Sequence, residues 1–160
     1  MYQPVGWKDD SFRIDEWRVS LSLHWEEQTP QLSTDGDILT MTGVFQKEVR
    51  EGYRITKDVP NVSTDEYPYV IVRWKSTATC AGVAVEYDDA IMQVLNPAVT
   101  WHYAQYSSDW KVSVVKLPEG KTITAVRLAL DDYPSWTDIE GIHSVYFDYV
   151  MFSNVTTPQF

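Results

Sequence analysis

The closing stretch of the chain, residues 143–154, reads H-S-V-Y-F-D-Y-V-M-F-S-N. In an extended strand Val145, Phe147, Tyr149 and Met151 share one face and Tyr146, Asp148, Val150 and Phe152 the other, because successive side chains alternate. Both faces are largely apolar, so this strand is expected to be buried on both sides. Asp148 is the exception. Asp is depleted in strands, and a carboxylate in apolar surroundings is costly without a partner. Asp148 therefore calls for a metal ion, a basic group or several backbone N–H donors.

Elsewhere no long run places apolar residues at helical spacing, whereas short alternating stretches rich in Val, Ile, Thr and Tyr recur. The chain reads as all-β. Strands are expected at 12–23, 38–45, 69–75, 79–87, 91–95, 110–117 and 122–130, separated by turns such as Asp35-Gly36-Asp37 and Pro118-Glu119-Gly120-Lys121. Residues 28–37 read as a loop, and the charged segment 48–58 as a loop or irregular strand forming one wall of a site. In the strand 122–130, Val126, Leu128 and Leu130 would face the core, leaving Arg127 between Ala125 and Ala129 on an open, shallow floor. About nine or ten strands at this spacing fit a two-sheet sandwich.

Charge and aromatic content narrow the partners. Thirteen basic against twenty-three acidic residues give a net charge of −10, which repels nucleic acid backbones and anionic membranes. No window reaches the apolar length of a membrane span or a signal sequence, so the segment reads as cytosolic or as the interior of a longer exported protein. The lone Cys80, in T-A-T-C-A-G-V-A-V, reads as a buried inert thiol. Two sequons, at Asn61 and Asn154, are of a kind that arises often by chance. Aromatics make up 14% of the chain, with seven Trp and ten Tyr, more than a core of this size needs, so some rings should lie at a surface. Trp7, Trp17, Trp74 and Trp110 read as core. The segment 96–109 instead crowds Trp101, His102, Tyr103 and Tyr106 after Pro97, and the loop 131–141 carries Trp136.

The stretches W-K-V-S-V-V-K-L-P-E-G-K-T-I-T-A-V-R-L-A-L and V-Y-F-D-Y-V-M-F resemble the closing strands of galactose-binding-like jelly rolls, as found in many non-catalytic carbohydrate-binding modules. D-D-S-F-R-I-D-E-W and Y-P-Y-V-I-V-R-W-K-S-T are similar in style. The resemblance implies a β-sandwich jelly roll of two antiparallel sheets over residues 1–160. It also implies polysaccharide binding, an attached glycoside-active catalytic domain, an extracellular setting and a monomeric module. Such modules commonly hold a structural calcium, which by resemblance places Asp148 at the ion, helped by Asp9 and Asp10 or by the Asp35-Gly36-Asp37 turn. Calcium wants about six to eight oxygens, and the sequence has no self-contained calcium motif.

Sugar binding needs flat aromatic faces against the C–H face of a pyranose and planar polar groups at its edges. Trp101, Tyr103, Tyr106 and Trp136 are the candidate platforms, with Trp25 and Tyr53 further off. Arg127, Arg73, Glu86 and Gln105 are the candidate hydrogen-bonding edges. Catalysis has less support. The pairs Asp9-Asp10, Glu26-Glu27, Asp88-Asp89 and Asp131-Asp132 read as turn and surface charges, not as the carboxylates of a glycosidase. A small jelly-roll polysaccharide lyase would use His102 or Tyr103 as base with Arg127 to neutralise a uronate. A third reading is an adhesion or assembly domain whose exposed rings meet another protein. His24, His102 and His143 show no zinc spacing.

Overall fold

The computed structural model describes residues 4–21, 31–48, 52–87, 90–95, 104–132 and 138–158. They form two antiparallel sheets from eleven strands: β1 Val5–Asp9, β2 Arg18–Leu21, β3 Gln31–Asp35, β4 Ile38–Phe45, β5 Gly52–Ser63, β6 Tyr69–Ser76, β7 Ala81–Tyr87, β8 Ala90–Gln93, β9 Lys111–Lys116, β10 Thr122–Asp131 and β11 Gly141–Ser153. A single 3-10 turn, Ile14–Glu16, precedes β2. The first sheet has the order β3-β4-β11-β6-β9, with β1 also paired to β11, and the second β2-β5-β10-β7-β8. The order is that of a jelly roll, because the chain crosses between the sheets, from β4 in the first to β5 in the second and back to β6 in the first.

The closing strand is the centre of the first sheet. One edge of β11 pairs with β4 over residues 141–147 and then with β1 over 150–153, while its other edge pairs with β6. Strict alternation fails in the middle of it. The register with β6 shifts between Phe147 and Tyr149, so Asp148 is an extra residue in a β-bulge. A one-residue insertion exchanges the faces beyond it. Val145 and Phe147 before the bulge, and Val150 and Phe152 after it, all enter the core between the sheets. Tyr146, Tyr149 and Met151 lie on the outward face instead. The strand is thus fully buried on one face and only partly on the other, where Tyr146, Asp148 and Tyr149 keep some exposure.

The core sits between the sheets. Trp74, Phe45, Phe147, Phe152, Leu39 and Met41 of the first sheet meet Ile55, Leu128 and Leu130 of the second, each at most 2% exposed. Three expectations change. The segment 48–58 is not a wall of irregular structure: from Gly52 it is the longest strand of the second sheet, with Tyr53 and Ile55 inward and Arg54 and Thr56 outward. Within the stretch read as a loop, residues 31–35 pair with β4. Phe12 lies not in a strand but in a turn at φ 41°, buried to 1% exposure.

Candidate functional site

Alternation along β10 sends Val126, Leu128 and Leu130 inward, as expected, and leaves Ala125, Arg127 and Ala129 outward. The neighbours in register complete a surface: Arg127 lies between Thr56 of β5 and Ala84 of β7, and Ala129 between Arg54 and Gly82. The alanines are short and buried, so the longer side chains stand above them. Arg127 Nη2 donates to Glu86 Oε1 at 2.6 Å, with both side chains partly exposed. Burial pulls the Arg54 guanidinium below the ordinary arginine value, and the nearby Arg127 cation pulls it the same way; Asp131 and Glu86 oppose them. Arg54, Arg127, Glu86 and Asp131 therefore share one electrostatic neighbourhood on the outward face of the second sheet.

At one end of this face, where β10 ends and β7 begins, a cleft of about 450 Å³ lies between Thr77, Thr79, Tyr106, Asp138, Glu140 and His143. Tyr106 is 53% exposed there. His143 Nε2 lies 2.9 Å from the Glu140 carbonyl oxygen, an acceptor, so this nitrogen donates. Nδ1 is then the acceptor for the Thr77 hydroxyl at 3.0 Å. Thr77 Oγ1 in turn accepts the Ser144 N–H at 2.9 Å, which fixes the wall of the cleft to β11.

The candidate residues do not all converge. Arg127 and Glu86 are brought together, and Tyr106 stands at the cleft. Gln105 forms a two-way backbone bridge with Ala81, which ties the residues before Tyr106 to the start of β7. Tyr53 is not a surface ring: at 2% exposure it packs edge-on to Phe45 in the core, because its place in β5 points inward. Arg73 lies on the outward face of the first sheet, across the sandwich from Arg127. Trp110, read as core, is there too, stacked with its ring centroid 4.4 Å from the Arg73 guanidinium carbon. Trp25, Trp101, Tyr103 and Trp136, with His102, lie outside the described residues. The flanking residues Leu95, Ala104, Asp132 and Asp138 are described. Asp131 and Asp132 are buried, not surface charges, and the Asp131 N–H donates to the Cys80 carbonyl. Arg54 and Thr56 were missed, although their period-two spacing against Tyr53 and Ile55 was the signal for them.

Three of the carboxylates considered for calcium, Asp9, Asp10 and Asp148, have other partners. Asp9 is 5% exposed and accepts from the Ser11 and Phe12 N–H groups at 3.2 and 2.9 Å, from Trp17 Nε1 at 3.1 Å and from Lys57 Nζ at 3.0 Å. Asp10 meets Lys8 at 3.2 Å, and Asp148 meets Arg73 at 2.7 Å. Among the described residues no three His, Cys, Asp or Glu side chains converge on one point. As placed among the described residues, Asp9, Asp10 and Asp148 do not form an oxygen cage of about six to eight ligands. Of the three kinds of partner that Asp148 called for, the structure shows a basic group, Arg73.

The sequence matches no family model and no curated protein. Solved structures do match in fold. The family 11 carbohydrate-binding module of a cellulosomal cellulase of Clostridium thermocellum aligns over 94% of this chain and 95% of its own, with a TM-score of 0.55 and 10% identity. The family 11 module from that organism in complex with a β-1,3-1,4-mixed-linked tetrasaccharide aligns over 93% and 95%, with a TM-score of 0.51 and 9% identity. The glycoside hydrolase domain of Endo-D from Streptococcus pneumoniae R6 aligns with a TM-score of 0.55 and 16% identity; the match covers 89% of this chain but only 22% of that one. At such identities the likeness is one of fold. The fold is a β-sandwich like that of these carbohydrate-binding modules.

Proposed function

We propose that the chain is a non-catalytic carbohydrate-binding module that holds a neutral, β-glucan-type polysaccharide on the outward face of its second sheet. The observation that carries this reading is the row of Arg54, Arg127 and Glu86 standing over the buried Thr56, Ala84 and Ala129. Such a row offers donors and acceptors at fixed spacing above a low floor, which is what the hydroxyl-rich edge of a sugar chain requires. The likeness in fold to a module solved with a β-1,3-1,4-mixed-linked tetrasaccharide supports the ligand class. In this reading Tyr106 at the cleft, with Trp101, Tyr103, Trp136 and Trp25, supplies the stacking rings. Non-catalytic binding is supported by the pairing of Arg127 with Glu86, since a cation already neutralised at 2.6 Å is poorly disposed to neutralise a uronate for a lyase. The module would serve a covalently attached glycoside-active domain in an extracellular protein.

Affinity gel electrophoresis against mixed-linkage β-glucan, xylan and glucomannan tests the proposal. Retarded migration on at least one neutral polymer is expected, and unretarded migration on all three would overturn it.

A further inference from the structure

The outward face of the first sheet carries a separate constellation. Arg73 and Lys75 project from β6 two residues apart, and the Trp110 ring reaches both, with its centroid 4.4 Å from the guanidinium carbon and 4.9 Å from the ammonium nitrogen. The same ammonium lies 5.1 Å from the centroid of Tyr146 on β11. Arg73 is neutralised by Asp148, whereas among the described residues no carboxylate lies within ion-pair distance of Lys75. A cation between two ring faces and without a counter-ion is an anion site awaiting its anion.

The wider face agrees in sign. By their register with outward-facing neighbours, Lys8, Arg73, Lys75 and Lys116 project from it; Lys8 is paired with Asp10 and Arg73 with Asp148, which leaves Lys75 and Lys116 against Asp35 in a chain whose net charge is −10. The surface is also apolar where it is exposed, with Val112 at 49% beside Arg73. A flat sheet face that offers rings and an unpaired ammonium together suits a ligand whose own surface joins C–H faces to carboxylates. A polymer of uronic acid residues has that surface. An acidic peptide supplies the carboxylates but not the rigid C–H faces. We propose that this face binds a uronate-bearing polysaccharide, with Lys75 taking a carboxylate and Trp110 and Tyr146 covering sugar rings. The proposal does not depend on the reading of the second sheet, which lies across the sandwich.

Affinity electrophoresis in gels containing polygalacturonate tests it, with Lys75→Gln and Trp110→Ala as variants and thermal melting as the check on folding. Retardation of the unmodified chain is expected, weakened at least tenfold in either variant and reduced by added salt, while migration on neutral β-glucan is unchanged by Lys75→Gln. Either of two results would overturn the proposal: no retardation by polygalacturonate, or equal retardation by dextran sulfate that survives Trp110→Ala, which would mark simple charge attraction. If Trp110→Ala does not fold, Lys75→Gln alone decides. Among the described residues Lys75 makes no ion pair whose loss would disturb the fold.

Discussion

Lys57 of the second sheet reaches across to Asp9 at the end of β1 in the first, Nζ to Oδ2 at 3.0 Å, with side-chain exposures of 19% and 4%. The ammonium also lies 5.9 and 5.8 Å from the ring centroids of Trp7 and Trp17. Asp9 thus joins the two sheets and holds the turn that seats Phe12 in the core. Removing it leaves three N–H donors without their acceptor and the largely buried Lys57 ammonium with only Glu16, 3.5 Å away. Asp9→Ala is expected to cost about 3–5 kcal/mol of unfolding free energy, read by urea denaturation. Burial alone would raise the Asp9 carboxyl, but the Lys57 hydrogen bond, the Phe12 N–H, the Lys57 charge and the Ser11 N–H bring it below the ordinary aspartate value. A carboxylate depressed on folding stabilises above its unfolded value, about 3.9, and that contribution fades as pH falls through the lower folded value. Melting temperature should therefore decline more steeply below about pH 4 in the unmodified chain than in Asp9→Asn.

Metal removal should do nothing to the described framework. A bound ion raises stability only when the folded state holds it more tightly than the unfolded one. With Asp148 on Arg73 and Asp9 on Lys57 and three N–H donors, the expected melting temperature is the same with excess chelator and with added calcium. A midpoint lowered by chelator and restored by calcium would contradict this account of the carboxylates.

Tyr53 should behave as a core residue and not as a ligand platform. A Cβ at Gly43 would lie 2.6 Å from Tyr53 Cε2 and 3.0 Å from Leu130 Cδ2, so the ring fills the space left by the glycine. Gly43→Ala is expected to cost about 1–3 kcal/mol by overpacking, and Tyr53→Ala about 3–5 kcal/mol by leaving a cavity. Both should lower the melting temperature without selectively weakening polysaccharide binding in the protein that remains folded.

How much of this was legible in the sequence depended on whether local alternation was interrupted. Strand β10 alternates without a break from Ala125 to Leu130, and its inward and outward residues were read correctly. In β11 the extra residue at Asp148 defeated the same reasoning, because nothing in the local pattern distinguishes a bulge from a polar residue on the second face. Trp110 was taken for core because it leads a strand. Its partners, Arg73 and Lys75, come from β6, a neighbour set by topology that the spacing along the chain does not reveal. The pairing of Arg127 with Glu86, 41 residues apart, was likewise hidden until β7 and β10 were placed side by side.

Cys80 should be inert. It is 0% exposed, and burial pushes its thiol up to about 12, with the Asp131 charge adding to the rise and the Ala78 backbone opposing it. At pH 8 only about one thiol in ten thousand is then ionised, and the thiolate is the reactive form. An aromatic disulfide reagent is expected to label no thiol in the folded chain and one after unfolding in guanidinium.

The pair on the second sheet provides the most direct test of where neutral polysaccharide sits. Arg127 and Glu86 are both partly exposed and meet at 2.6 Å, so replacing either changes the donors and acceptors presented above Ala84 while leaving the inward residues of β7 and β10 in place. Arg127→Gln is expected to weaken binding to whichever neutral polymer retards the unmodified chain by about tenfold, or about 1.4 kcal/mol. Glu86→Gln should weaken it less, since its amide can still accept from Arg127. Melting temperatures should change little in both. Tyr106→Ala separates the face from the cleft: unaltered binding in that variant, with loss in Arg127→Gln, would confine the ligand to the sheet. Loss only in Tyr106→Ala would move the site to the end of the sandwich, beside Thr77 and His143.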